Sequence, residues 1–230
     1  MKTFSEAEHE TWRRLFARLD HCRREQAHPT FVDGLAALGI DGERVPDLER
    51  VNARLSALTG FRGVEVAGLE DGASFFAMLA RREFPIGAFI RDARDLSYTP
   101  APDVFHDMYG HLPLLADRAY ADFCQRFGAV AAAYATTPER LRELERVFWF
   151  GVEFPLIDTP RGRRIFGGGI LSSFGESNYA LSGEPEVLPF DVAFVRRQEY
   201  RIDEMQRRLF VIDRPEALYG CLAPFERAAA

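Results

Sequence analysis

Two of the chain's five histidines, His106 and His111, stand five residues apart in Phe105-His106-Asp107-Met108-Tyr109-Gly110-His111. The other three, His9, His21 and His28, fall in the first helical stretch. A glutamate follows in Phe148-Trp149-Phe150-Gly151-Val152-Glu153-Phe154. Two imidazoles and one carboxylate are the donor set of a non-haem iron(II) centre with positions left open for dioxygen and substrate. The same set suits hydrolytic zinc, and Asp103 and Asp107 compete with Glu153 for the third place. The H-E-x-x-H arrangement of zinc peptidases is absent, because Asp107 follows His106 and the second histidine comes one residue too late.

The spacing constrains the elements that carry these groups. On a regular helix, residues five apart diverge by about 140°. His106 and His111 converge only if the backbone bends or the helix ends between them. Gly110 can supply that break, and Asp103 can cap a helix that begins just before His106. Glu153 is expected on a helix, with Trp149 four residues before it on the same face. A carboxylate among Phe148, Trp149, Phe150, Val152 and Phe154 is costly to bury unless it is paired or bound to a metal. That setting singles it out among 35 acidic residues.

The surrounding pattern is mainly helical. Ser5-Glu6-Ala7-Glu8 is a capping box, and Trp12, Leu15, Phe16 and Leu19 continue a helix to about residue 27, with Pro29 beyond. A second helix spans Phe31–Leu38 and stops at Gly39. Asp47 caps a third, with Leu48, Val51, Leu55 and Leu58 on one face and Gly60 as its stop. Ser74–Arg82 is helical, Leu114–Ala135 is a broken Ala-rich helix, and Thr137-Pro138 opens a helix that ends near Pro155. That last helix turns Leu141, Leu144, Val147 and Phe148 inward. Strands are expected at Phe61–Val66, Ile86–Ile90, Ile165–Leu171 and Arg208–Ile212. The sum is an α+β fold, mainly α-helical, with a small β-sheet in one domain over residues 1–230.

With 47% hydrophobic and 28% charged residues the composition is that of a globular protein. No apolar run reaches a membrane span, and the acidic N-terminus is no signal peptide, so a cytoplasmic protein is expected. A net charge of −6 argues against nucleic acid as partner. Cys22, Cys124 and Cys221 are odd in number and lack a C-x-x-C pair, so neither a disulfide framework nor a thiolate zinc site follows.

The chain resembles the pterin-dependent aromatic amino acid hydroxylases, above all the single-domain bacterial phenylalanine hydroxylases. The first motif is Tyr98-Thr99-Pro100-Ala101-Pro102-Asp103-Val104-Phe105-His106-Asp107-Met108-Tyr109-Gly110-His111-Leu112-Pro113-Leu114-Leu115. The second runs from Phe148 to Phe154. The third is Gly167-Gly168-Gly169-Ile170-Leu171-Ser172-Ser173-Phe174-Gly175-Glu176. Weaker matches extend from Thr11-Trp12 to Tyr200-Arg201-Ile202-Asp203.

The resemblance implies a catalytic domain of that type with Fe(II) on His106, His111 and Glu153. It implies a tetrahydropterin and dioxygen as co-substrates, and L-phenylalanine converted to L-tyrosine as the leading reaction. It assigns Phe75 to stacking on the pterin ring and Leu69 and Gly72 to the loop facing it. Asp107 lies near the pterin, and Phe148 stands where a tyrosine is usual beside iron and pterin. It assigns Arg91 to the substrate carboxylate, a bidentate pairing that suits a guanidinium. Thr99 and Ser172 surround the amino acid end, and Pro102, Trp149 and Phe154 wall the ring.

Four positions depart from the pattern: Ala101 replaces a glutamate, Phe148 a tyrosine, Pro155 a glycine and Gly168 an alanine. The chain starts close to the Thr11-Trp12 helix and so lacks the preceding segment that often forms a lid. With no regulatory or tetramerisation segment, a monomer is expected. The departures keep open phenylalanine 3-hydroxylation or tryptophan hydroxylation. A non-catalytic relative that binds pterin or amino acid, and a zinc hydrolase, are the readings from other classes.

Overall fold

Ser5 Oγ accepts from the Glu8 N–H while the Glu8 carboxylate accepts from the Ser5 N–H, so α1 (Glu6–Arg18) starts at its capping box. This is seen in a computed structural model that describes residues 2–97, 99 and 101–229. Tyr98 and Pro100 of the first motif lie outside the described residues. The first helical stretch is interrupted at Leu19 and resumes as a π-helical turn, Cys22–Gln26. His28 falls beyond it, as the N-cap of α2 (Pro29–Leu38), which Gly39 ends in a left-handed conformation at φ 66°. Asp47 caps α3 (Leu48–Thr59). Leu48, Val51 and Leu55 are buried there, but Leu58 is exposed. Thr59 lies closer in angle to Leu55 and takes the inner place, its hydroxyl donating to the Leu115 carbonyl at 2.9 Å.

A parallel pair follows, β1 (Arg62–Val66) and β2 (Glu83–Gly87), joined through α4 (Gly72–Ala80). The second strand begins three residues earlier than Ile86–Ile90, with Phe84 and Ile86 inward and Gly87 at its end. The Ala-rich stretch breaks where Asp117 caps anew, giving α5 (Leu112–Leu115) and α6 (Arg118–Ala132). Pro138 opens α7 (Pro138–Phe148), although the Thr137 hydroxyl makes no capping bond.

A four-stranded sheet in the order β4-β3-β6-β5 forms the other side. It comprises β3 (Pro155–Thr159), β4 (Gly162–Ile165), β5 (Glu186–Pro189) and β6 (Arg208–Ile212). The fold is mainly helical α+β as expected, with two small sheets instead of one. The expected strand Ile165–Leu171 is not formed: Ile165 ends β4, and Gly168–Leu171 is the short helix α8. A short apolar run does not separate a strand from a buried helical turn by period alone. The remaining helices are α9 (Phe174–Ala180), α10 (Val192–Val195), α11 (Pro215–Tyr219) and α12 (Ala223–Ala229).

The core is aromatic and lies directly behind the histidine motif. Tyr109 is fully buried, stacked on Phe105 at 4.7 Å and met edge-on by Phe16 and Phe31. Each such ring contributes about 2–3 kcal/mol by burial, which makes this segment a rigid support.

Candidate metal centre and the adjoining cavity

Residues His106–His111 form a π-helical turn, with the Leu112 N–H bonded to the Asp107 carbonyl five residues back. In that register residues five apart sit over one another, and the two Nε2 atoms come to 3.1 Å. The expected break at Gly110 does not occur. Gly110 serves close approach instead: a Cβ built there would lie 2.6 Å from the Gly168 carbonyl oxygen. Asp103 caps the turn, accepting from the His106 N–H at 2.9 Å.

A second π-helical turn, Trp149–Glu153, ends α7, where Phe154 N–H bonds the Trp149 carbonyl at 2.9 Å. It delivers Glu153 Oε2 to 3.1 Å from His111 Nε2 and 3.9 Å from His106 Nε2. The three donor atoms all lie within 4.8 Å of one another. Two donors at right angles and about 2.1 Å from one ion lie about 3 Å apart, which is the spacing of His111 to both partners. The competing acids are otherwise engaged. Asp103 is bound to Arg91, and Asp107 Oδ2 accepts the Gly87 N–H at 2.7 Å.

The protonation pattern suits a cation. Ser172 Oγ donates to the Gly168 carbonyl at 2.9 Å and lies 2.9 Å from His106 Nδ1. With its only proton so used, Ser172 accepts from Nδ1–H, which leaves the His106 Nε2 lone pair free. Burial, then the neighbouring His111, pushes the His106 imidazole down to about 4, so it is neutral at pH 7. Burial alone would raise the Glu153 carboxyl, but His111, His106 and the Gly169 N–H outweigh it and hold it below the usual range. Burial raises the Asp107 carboxyl well above the usual range.

A cavity of about 320 Å³ opens beside these donors. His106 and Glu153 line it, with Asp107, Pro102, Phe75, Phe84 and the Val66–Glu70 loop around them. Leu69 forms an exposed rim. Gly72 is placed off the cavity, against the Glu145 carboxylate. Phe148 is also off it, edge-on behind Phe75 at 5.1 Å. A larger groove of about 950 Å³ lies between the Cys22–Gln26 turn, α2 and the β3–β4 hairpin, and no residue of the donor cluster lines it.

Arg91 is buried, and its Nε and Nη2 both donate to Asp103 at 2.8 Å. That edge of the guanidinium is occupied, and Nη1 donates to the Leu96 carbonyl at 3.5 Å, which leaves one N–H on each of Nη1 and Nη2 for another carboxylate. Thr99 Oγ1 donates to the Ala101 carbonyl at 2.5 Å. Trp149 does not face the cavity with Glu153: its indole is stacked between Phe154 at 4.6 Å and Tyr200 at 4.4 Å.

Sequence reasoning missed several neighbours. Phe84 stacks on the His111 ring at 4.7 Å; it lies before the expected strand Ile86–Ile90, and only its alternation with Ile86 could have placed it inward. Gln206 accepts the Trp149 Nε1–H at 3.2 Å, a pairing of residues 57 apart that no local pattern reveals. The Gly168 departure concerns the candidate donor His111, because a Cβ there would lie 2.5 Å from His111 Cε1.

The family model described as biopterin-dependent aromatic amino acid hydroxylase matches residues 2–225. The phenylalanine-4-hydroxylases of Chromobacterium violaceum and Caulobacter vibrioides are 40% and 42% identical to this chain, over 96% and 94% of it and 74% of each relative. The crystal structure of the Chromobacterium violaceum enzyme with iron(III) and 7,8-dihydrobiopterin is similar at a TM-score of 0.92 and 40% identity, covering 98% of this chain and 82% of that one.

Proposed function

Because the chain belongs to the biopterin-dependent aromatic amino acid hydroxylases, we propose that it converts L-phenylalanine to L-tyrosine with Fe(II), a tetrahydropterin and dioxygen. The observation that carries this reading is the convergence of His106, His111 and Glu153 beside an aromatic cavity that His106 and Glu153 line. Those residues hold the iron, which with the pterin supplies dioxygen activation. The chain's own work is orientation and exclusion of water. Ser172 fixes the His106 ring, and Phe84 braces His111. Phe75, backed by Phe148, offers a flat face to the pterin ring, with Asp107 a carboxyl for its polar edge and Leu69 in the loop that covers it, while Gly72 opens the helix that carries Phe75. The remaining N–H groups of Arg91 take the amino acid carboxylate, with Thr99 and Ser172 around the same end of the substrate. Pro102 lines the cavity, and the stacked pair Phe154 and Trp149, set off it, is assigned to the substrate ring on the side away from the pterin.

Two departures that left the substrate open now argue little for another one. The space of a methyl group at Gly168 is filled by the His111 ring, so no room is added for a larger amino acid. Phe148 packs behind Phe75. The proposal includes one catalytic domain acting as a monomer in the cytoplasm, which light scattering and cell fractionation test. Among the described residues, no helix is long and apolar enough to cross a membrane.

The test is to supply iron(II)-loaded protein with tetrahydropterin, oxygen and each aromatic amino acid, and to identify products by mass and retention time. Para-tyrosine from phenylalanine is expected. Meta-tyrosine or hydroxytryptophan would correct the substrate, and no hydroxylated product from any of them would overturn the proposal.

A further inference from the structure

Gln206 is the one buried residue of the segment 201–206, whose Ile202 and Met205 are exposed. Its side chain is fully engaged. Oε1 accepts the Trp149 Nε1–H at 3.2 Å, and Nε2 donates to the Arg201 carbonyl at 2.6 Å and the Glu204 carbonyl at 3.1 Å. The loop leaves from Tyr200, whose ring covers one face of the Trp149 indole at an angle of 12°. Phe154 covers the other face. Phe154 in turn follows Glu153, and its Cε2 lies 3.1 Å from the Cβ position of Gly169, which is also 3.1 Å from Glu153 Oε2.

Stacking holds an indole in a plane but leaves it free to slide and turn within that plane. The one directional restraint on Trp149 is its N–H, and the acceptor is an amide that also ties down the loop carrying Tyr200. We propose that Gln206 is a positioning residue for the substrate ring. It locks Trp149 and the 200–206 loop into one unit and thereby sets the preference among aromatic amino acids. This rests on the reading of Trp149 as a wall of the substrate site.

The test is a double-mutant cycle of Gln206→Met and Trp149→Phe on the iron-loaded protein. KM and kcat are measured for L-phenylalanine and L-tryptophan, with the hydroxylated product formed per pterin oxidised. Each single variant is expected to raise the phenylalanine KM about tenfold, as loss of one anchored hydrogen bond does. Each should lower the coupling ratio and leave kcat within about twofold, and the double variant should be no worse than Trp149→Phe alone. Additive effects, or a wild-type KM in Gln206→Met beside a raised one in Trp149→Phe, would overturn the role of Gln206 alone. A wild-type KM in Trp149→Phe would overturn it together with the assignment of Trp149, and this variant serves even if Gln206→Met does not fold. The chain has only two tryptophans, so indole N–H resonances give a readout independent of turnover. In Gln206→Met the Trp149 signal should move and the Trp12 signal should stay. An unmoved Trp149 signal overturns the anchoring even if the wild type proves to have no hydroxylase activity.

Discussion

Asp103→Ala should damage the metal centre and the amino acid site together. The carboxylate is fully buried and accepts from the Arg91 N–H, Nε and Nη2 at 2.8 Å each and from the His106 N–H at 2.9 Å. Burial alone would raise its pKa, yet the hydrogen bonds and charge of Arg91, with the two backbone N–H groups, hold it below the usual range. Removing it strands a guanidinium whose side chain is only 6% exposed. Breaking one side of a buried pair costs about 3–5 kcal/mol, and in a domain of this size each kcal/mol lowers Tm by about 2–4 °C. A fall of roughly 10–15 °C is expected in calorimetry. The turn bearing His106 loses its cap at the same time, so iron(II) affinity, measured against a competing chelator, should drop about 10–100-fold. The double variant Arg91→Ala/Asp103→Ala should be less unstable than the sum of the singles, since no charge is left unpaired. A loss below about 1 kcal/mol in urea denaturation, with wild-type iron affinity, would refute the reasoning.

Three further outcomes follow from the same contacts. Ser172→Ala removes the acceptor for His106 Nδ1–H and should weaken iron(II) binding about tenfold by titration calorimetry, with little change in fold. Phe75→Ala should raise the pterin KM at least tenfold and leave the phenylalanine KM nearly unchanged, because Phe75 lines the cavity and Arg91 does not. Glu176 has a buried Oε2 without a partner among the described residues, and burial raises its carboxyl to about 7. Its folded pKa lies above the unfolded value of 4.5, so its contribution is full below pH 4.5 and is lost as the pH rises through about 7. The loss amounts to about 3 kcal/mol. Glu176→Gln should flatten stability between pH 5 and 8 in urea denaturation; an equal slope in both proteins would remove Glu176 as the cause.

Local signals in the sequence were read well where one residue sets one backbone group. Ser5, Asp47, Gly39 and Gly60 each act within four residues of where their effect appears, so their helix ends were legible. The same locality explains the misses. The strand expected at Ile165–Leu171 is helical from Gly168 because the glycine run packs against Glu153, which lies in another motif; a Cβ on Gly167 would meet its carbonyl oxygen at 2.3 Å. Arg91 was assigned to a substrate, while its first partner, Asp103, was read only as a cap or a competing ligand. In Leu55 and Leu58 the period was right but the face was shared with Thr59, whose hydroxyl has a buried carbonyl to serve.

The spacing of five between the histidines is accommodated differently from the way a regular helix implies. On a regular helix that spacing predicts divergence, relieved by a break at Gly110. The helix instead widens to a π register, and the glycine is needed for what crosses it. Gly110 and Gly168 meet backbone to backbone, which lets the His106–His111 turn press against α8. From α8, Gly169 packs against the Glu153 carboxylate, and Ser172 at its C-cap reaches His106. Two π-helical turns from distant segments are thus clamped by one glycine contact, and π turns recur at sites where donor atoms must face inward at unusual spacing. A larger residue at either glycine would part the two ligand-bearing turns before it touched a substrate. Variation at position 168 is therefore expected to register first in iron affinity and only second in the choice of amino acid.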